Sequence, residues 1–353
     1  MQLLDYTLLE TSSEVPPEIP YGVQMIGAPL EWPETKGKGI KVAVIDTGAP
    51  THPDIRVTQA IEFGDNYGTE DYQGHGTHVA GIIAANGKIK GVAPEVDLYC
   101  LKVLDRAGSI DTKALAKAIA WCADHQIDVA NISIGGTVSD ASIEAACQKA
   151  YDAGVVLVCS AGNLGRDYGV SYPARYKTTI ATAAIDLNKD RPGWSSVGGA
   201  VDVAAAGVQI WSAWLKGDYA KLSGTSMAAP HITGAVAILQ AKAKTRLGRK
   251  MTPDEAALTL KIYTEDLGTP GRDEYFGCGV FSFGRFVESD RIKRTVVMRI
   301  GDTKYTVNGE PAWMDVAPKI ENERTMVPVR FVAEGLGADV TWEPVTKTVT
   351  IEG

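Results

Sequence analysis

Two short apolar runs constrain this chain more than any other feature. Lys41-Val42-Ala43-Val44-Ile45 and Val155-Val156-Leu157-Val158-Cys159-Ser160 read as buried strands, and they stop in polar turns, Asp46-Thr47-Gly48 and Ala161-Gly162-Asn163. In doubly wound sheets the carboxyl edge of such strands is where sites are built, which places Asp46 at a candidate site.

Two further segments supply reactive groups. Gly224-Thr225-Ser226-Met227-Ala228-Ala229-Pro230 sets a serine among small residues just ahead of the apolar helical run Ile232–Leu239. A serine at a helix start faces free N–H groups and the positive dipole end, which favour developing negative charge. The alternative for such a serine is a simple N-cap. Serine is a weak nucleophile and needs a base, which in turn needs an orienting group. Gly74-His75-Gly76-Thr77-His78 opens a second helix with His75 at its start, the natural base, and His78 one turn further in.

Taken together, Asp46-Thr47-Gly48, His75-Gly76-Thr77-His78 and Gly224-Thr225-Ser226 resemble the three signatures of the subtilisin family of serine proteases, in the same chain order. The resemblance runs from about residue 17 to about 285. It implies an α/β fold, a doubly wound, mostly parallel sheet flanked by helices, and a serine endopeptidase acting through an acyl-enzyme. Ser226 would attack, His75 would shuttle the proton and Asp46 would orient it, while Asn163 would donate to the oxyanion. Ser133, Ile134, Gly135 and Gly136 resemble the stretch that pairs with an extended peptide and lines one wall of the first specificity pocket. Leu164 stands where relatives often carry an acid, which favours apolar side chains before the cut, and Ser171 falls at the pocket floor.

The N-terminus lacks a basic start, a long apolar stretch and a small-residue cleavage site, so it does not read as a secretory signal. With 45 residues ahead of Asp46 there is no room for a folded prodomain. This layout resembles the intracellular subtilisins of Gram-positive bacteria, whose short N-terminal extension lies across the active site. Leu3-Leu4-Asp5-Tyr6 matches their Leu-Ile-Pro-Tyr motif, with Asp5 replacing the proline that makes the segment resist cleavage. Residues 1–16 are therefore expected to be an inhibitory extension, a mobile tail being the alternative. A cytoplasmic location follows, and the five cysteines, an odd number without metal spacing, fit buried free thiols in a reducing compartment.

Partners and cofactors follow from composition and motif. A net charge of −8 argues against nucleic acid, and no apolar run reaches the ~18 residues of a membrane span. The basic run Lys242, Lys244, Arg246, Arg249 and Lys250 reads as the solvated, dipole-compensating end of the serine helix. The resemblance implies protein or peptide substrates and no cofactor for the chemistry. Calcium is expected to be absent from the short, lysine-bearing loop Asn86-Gly87-Lys88-Ile89-Lys90, and a weaker site near the carbonyls of Ala174, Tyr176 and Thr179 stays open. His52, His125 and His231 read as structural.

Beyond the charged junction Asp290–Arg294 the chain alternates apolar and polar residues, with strands expected around 296–300, 305–307, 340–342 and 348–351. Asn308-Gly309 is a hairpin signal, and 328–337 reads as a short helix stopped by glycine. The run Arg324–Glu334 resembles the small domain named after the N-terminal stalk of copper amine oxidases. Residues 232–353 hold no histidine, which excludes a copper site there. The expected domains are thus 1–16, a catalytic domain 17–289 and a small α+β domain 295–353. The last would serve as a stalk, a spacer, a homodimer surface or a cell-envelope contact, which makes an envelope or extracellular location the alternative. Two functions fit: an active endoprotease, favoured by the complete triad, and a silent or autoinhibited scaffold.

Overall fold

The computed structural model describes residues 2–3, 6–64, 68–104, 109–284, 296–307, 310–322, 324–336, 339–343 and 347–352. They fall into two compact units, Met1–Phe286 and Val287–Gly353. Leu4, Asp5, the Asp290–Arg294 junction, Asn308-Gly309 and Gly337 lie outside the described residues.

In the first unit the strands are β1 (Gln2–Leu3), β2 (Thr7–Ser12), β3 (Lys41–Asp46), β4 (Gln59–Glu62), β5 (Asp97–Lys102), β6 (Val129–Ile132) and β7 (Ile134–Gly135). They continue with β8 (Val156–Ser160), β9 (Thr179–Ile185), β10 (Val201–Ala206), β11 (Ile210–Ala213), β12 (Tyr219–Ser223), β13 (Thr264–Glu265) and β14 (Val280–Phe281). Nine of these form the main sheet, in the order β13-β14-β10-β9-β8-β6-β3-β5-β4. All neighbours are parallel except β13 and β14. The helices are α1 (Tyr21–Met25), α2 (Ala28–Glu31), α3 (His75–Ala84), α4 (Thr112–Asp124), α5 (Ala141–Asp152), α6 (Thr225–Leu247) and α7 (Pro253–Ile262).

The apolar runs are apolar throughout because both faces of the sheet are covered. Val42 and Val44 of β3 join Val156 and Val158 of β8 in one core with α3 and α6; Ala43 and Ile45 join Leu157 and Cys159 in the other, with α4 and α5. The doubly wound reading therefore holds. Chain reversal occurs at β3, whose neighbours β5 and β6 follow it on opposite sides. Asp46 ends β3 at that switch point, where a crevice opens beyond the strand ends.

The basic run at the end of α6 is solvent-exposed at Lys244, Arg246, Arg249 and Lys250, as expected, but it is also paired. Lys242 pairs with Glu31 at 2.5 Å, Arg246 with Glu34 at 2.8 Å and Arg249 with Glu255 at 2.7 Å, and Lys250 bonds Asp128. Acids of α2, its following turn, α7 and the residue before β6 pair with four of its five cations, while Lys244 reaches the Gly39 carbonyl.

The second unit contains an antiparallel sheet of β15 (Val296–Met298), β16 (Lys304–Val307) and β17 (Glu310–Trp313). Two hairpins follow, β18 (Lys319–Glu321) with β19 (Arg324–Met326), and β20 (Asp339–Glu343) with β21 (Thr348–Glu352). Between them lies α8 (Val329–Leu336), whose Phe331 meets Tyr305 edge-on at 6.1 Å.

Candidate active site

Asp46 and His75 meet where β3 ends and α3 begins. His75 Nδ1 lies 2.7 Å from Asp46 Oδ1, and both side chains are fully buried. The close approach requires glycine at position 76, since a Cβ there would sit 2.9 Å from the Gly48 carbonyl and 2.9 Å from Thr47 Oγ1. Asp46 Oδ1 also accepts from Thr47 N at 2.8 Å. Asp46 Oδ2 and His75 Nε2 are buried with no hydrogen-bond partner among the described residues.

Asp71, absent from the sequence-based site, holds this pair together. Its Oδ1 accepts from Thr47 Oγ1 (2.9 Å), Gln73 N (2.9 Å) and Gly74 N (2.9 Å), and its Oδ2 from Thr77 N (2.8 Å) and Thr77 Oγ1 (2.7 Å). One buried carboxylate thus caps α3 and ties it to the turn that follows Asp46. The signal was there: an acid four residues before a histidine that opens a helix.

Ser226 is the second residue of α6, whose N-cap is Gly224 with no side-chain cap, so the serine is not an N-cap. Pro230, inside the same helix, has no N–H to give the Ser226 carbonyl. Ser133 Oγ supplies that donor at 3.0 Å, while Ser226 Oγ donates to the Ser133 carbonyl at 3.0 Å. Asn131 Nδ2 donates to Ser133 Oγ at 2.9 Å, and Thr233 Oγ1 to Asn131 Oδ1 at 2.9 Å, so a buried chain of polar groups pins β6 to α6. In this conformation the Ser226 hydroxyl is engaged by Ser133 and not by His75.

Asn163 follows β8, and its Oδ1 accepts from both Thr225 N (2.9 Å) and Thr225 Oγ1 (2.8 Å), beside Ser226. Ser171 is buried against Gly162, where a Cβ would fall 2.3 Å from Ser171 Oγ. Leu164 is on the rim, 36% exposed, and its N–H donates to Ser196 Oγ at 3.3 Å. Gly136 exchanges backbone bonds with Tyr172, at 3.0 and 2.8 Å. Ile134 and Gly135 form β7, and their antiparallel partner is the chain's own start: Leu3 pairs with Ile134 and Gln2 with Gly135.

The described chain resumes at Tyr6, beside the Asp46–His75 pair. The Tyr6 ring lies 5.0 Å from the His75 ring, and burial, then the charges of Asp46 and Asp71, raise its phenol pKa. Beyond it, β2 adds antiparallel to β12, which runs directly into the Gly224-Thr225-Ser226 turn.

The other histidines hold structure. His78 Nε2 donates to the Ile210 and Ala220 carbonyls at 3.0 and 3.1 Å, tying α3 to β11 and β12, and burial pulls its pKa down to about 3. His231 Nδ1 donates to the Met227 carbonyl at 2.8 Å, and burial lowers it to about 4. His52 Nε2 donates to the Asp218 carbonyl at 3.0 Å, and His125 stacks on Trp121 at 3.9 Å. Among the described residues no three His, Cys, Asp or Glu side chains gather as a metal-binding group.

The structure thus holds a histidine bonded to a buried acid at the carboxyl edge of a doubly wound sheet, and a serine at a helix start. Residues 37–279 match the Subtilase family, and residues 284–351 match the Copper amine oxidase N-terminal domain. Subtilisin DY of Bacillus licheniformis is 42% identical over 234 residues, 64% of this chain and 85% of its own length. Subtilisin Savinase of Lederbergia lenta is 40% identical over 229 residues, 64% and 85% of the two chains. An intracellular serine protease of Paenibacillus polymyxa is 36% identical over 308 residues, 83% of this chain and 93% of that protein. The chain belongs to the subtilase family and is a serine endopeptidase, joined to a copper amine oxidase N-terminal domain.

Proposed function

We propose that Ser226 is the nucleophile, His75 the general base and then acid, Asp46 its orienting partner and Asn163 the oxyanion donor. The observation that carries this is the buried 2.7 Å bond between Asp46 and His75 at the sheet's switch point. With His75 Nδ1–H given to a carboxylate, Nε2 bears the lone pair and acts as acceptor. Rotation of Ser226 from the Ser133 carbonyl toward Nε2 would start attack on a peptide carbonyl. Asn163, whose oxygen accepts from Thr225 beside Ser226, would donate its side-chain amide N–H to the oxyanion. His75 then protonates the leaving amine, and water, activated the same way, releases the acyl group. A fluorophosphonate probe should label Ser226 in the native protein; labelling or peptide hydrolysis that survives Ser226→Ala overturns the assignment.

Protein or peptide substrates bind as an added strand on Ser133–Gly136, and Leu164 and Ser171 shape a pocket that prefers apolar side chains. Support comes from β1, which occupies β7 as a substrate strand would. Residues 1–16 act as an inhibitory extension ahead of a catalytic domain 17–289, with 295–353 separate. A tethered strand has a high effective concentration, so weak contacts suffice to block the cleft. The test compares initial rates of the full chain with one starting near Glu14: equal rates without a lag reduce the segment to a tail. Because Asp5 lacks proline's resistance to cleavage, Asp5→Pro should slow self-processing.

Calcium has no place in the loop at Asn86–Lys90 on this reading, since Asp54 accepts there from Lys88 N (2.9 Å) and Ile89 N (3.2 Å). The carbonyls of Pro173, Ala174 and Tyr176 all lie within 3.2 Å of Thr179 Oγ1, which an ion at the weaker site would displace. The cytoplasm is our proposed location, supported by similarity to the intracellular protease of Paenibacillus polymyxa and by buried free thiols at Cys100, Cys122, Cys147 and Cys159. No described helix is long and apolar enough to cross a membrane. The C-terminal domain is read as a homodimer or envelope contact.

A further inference from the structure

The far side of the crevice holds a second sequence-specific contact. Strand β2 lies on β12 with Thr7 opposite Ser223, Leu8 opposite Leu222, Glu10 opposite Lys221, Thr11 opposite Ala220 and Ser12 opposite Tyr219, Leu9 being the bulged residue. Main-chain pairing of this kind accepts any sequence, so selectivity has to come from side chains. The β2 side chains from Thr7 to Thr11 are exposed. Glu10 nevertheless makes a defined contact, 3.0 Å from Lys221 Nζ.

Lys221 is not an ordinary surface lysine. Its side chain is 25% exposed, and its ammonium sits 4.8 Å from the centre of the Trp211 ring. Trp211 faces it across the β11–β12 pair, so the indole restricts where the charge can be. Beside the pair opens a hollow of about 430 Å³ lined in part by Trp211, Lys221, Tyr21 and Leu187. A fixed cation at a sheet edge, already holding a carboxylate from an added strand, is a built subsite for an acidic residue.

We infer that Lys221 and Trp211 form an acidic-residue subsite on the leaving-group side of the cleft, which Glu10 of the chain's own strand fills here. A substrate carrying Asp or Glu three residues beyond the one opposite Ser223 displaces Glu10 and takes its place. The inference rests on the protease reading, with β7 as the acyl side and β12 as the leaving side. It adds a selectivity far from the bond that is cut.

The test uses the full-length protein and three quenched-fluorescence peptides copying residues 1–12, with Glu, Gln or Lys at the place of Glu10. Competition from β2 cancels in the ratio of kcat/KM values within one enzyme. The Glu peptide is expected to exceed the Gln peptide by about two- to fivefold, the range of an exposed ion pair. That ratio should fall toward one in ~1 M salt. Lys221→Glu should reverse the order, so that the Lys peptide leads. Equal rates for Glu and Gln in the native protein, or a Glu preference that survives Lys221→Glu, overturns the subsite and leaves a bystander ion pair. Binding of the same peptides to the Ser226→Ala chain, read by anisotropy, should follow the same order. A short amide ending in an apolar residue reports on the protease reading separately: if it is not cut, that reading fails while the binding order still decides the subsite.

Discussion

The two compact units handle burial in opposite ways. In the first, α6 is buried from Thr225 through Ala241, and buried polar groups on it are linked to the sheet through the chain Ser226–Ser133–Asn131–Thr233. In the second, the buried hydrophobics among the described residues are Tyr305, Met314 and Ala333, while Trp313 and Ile320 each keep 65% of their surface exposed. A small unit has too little interior to cover its apolar groups, so it offers surface. A large one over-determines the position of each buried group, which is what a reaction needing sub-ångström placement requires. The buried Asp46–His75 pair sits in the first unit for this reason.

The largest test of that contrast is the loss of Ser226 or His75. Ser226→Ala and His75→Ala should each lower peptide hydrolysis by several orders of magnitude with unchanged circular dichroism, because the groups act as one unit. Removing the buried hub comes next. Asp71→Ala leaves the α3 N–H groups unpaired and should cost about 3–4 kcal/mol in denaturant unfolding. Glu334→Ala in the second unit, whose partner Arg330 is 4.0 Å away and exposed, should stay within about 0.5 kcal/mol. Comparable costs for the two would break the contrast.

Acid sharpens it further. Burial holds His78 at about 3 and His231 at about 4, against an ordinary 6.5. Below 6.5 the unfolded chain takes up protons that the folded one refuses. The first unit should therefore be most stable above pH 6.5 and lose stability as pH falls toward 4 and then 3. His78→Gln should flatten that slope in pH-dependent unfolding. The second unit has no histidine and should show no such histidine-linked decline. A smaller effect is expected at the rim: Leu164→Glu should narrow the preference for Phe or Leu over Lys before the cut by a few fold, seen with chromogenic peptides. Smallest of all, a chain ending near Asp290 should hydrolyse short peptides at the native rate; failure to fold would show that the units share a core.

Much of the framework was legible in the sequence because it depends on short-range pattern. Apolar runs bounded by turns marked β3 and β8, and alternating residues marked β16, β20 and β21. The small-residue motifs marked where α3 and α6 begin. Asp46 and Asn163 were visible as candidates because they close apolar strand runs, and Ser133 through the family resemblance. What a side chain bonds across the fold was not visible. Asp71 was not among the candidates: four of its five hydrogen bonds are local, to Gln73, Gly74 and Thr77, and the packing of α3 on the β3 turn adds the one from Thr47. Ser133 gives its hydroxyl to the carbonyl that Pro230 leaves without a donor, 93 residues away along the chain.

Amino-acid order alone determined which segments become strands and helices and where their reactive ends fall, since burial and periodicity act over a few residues. Tertiary structure decided the rest. It set Ser226 on Ser133, acids against the basic end of α6, and Glu10 against Lys221. Those partners lie far apart in sequence, and only closure of the two cores brings them within hydrogen-bond reach.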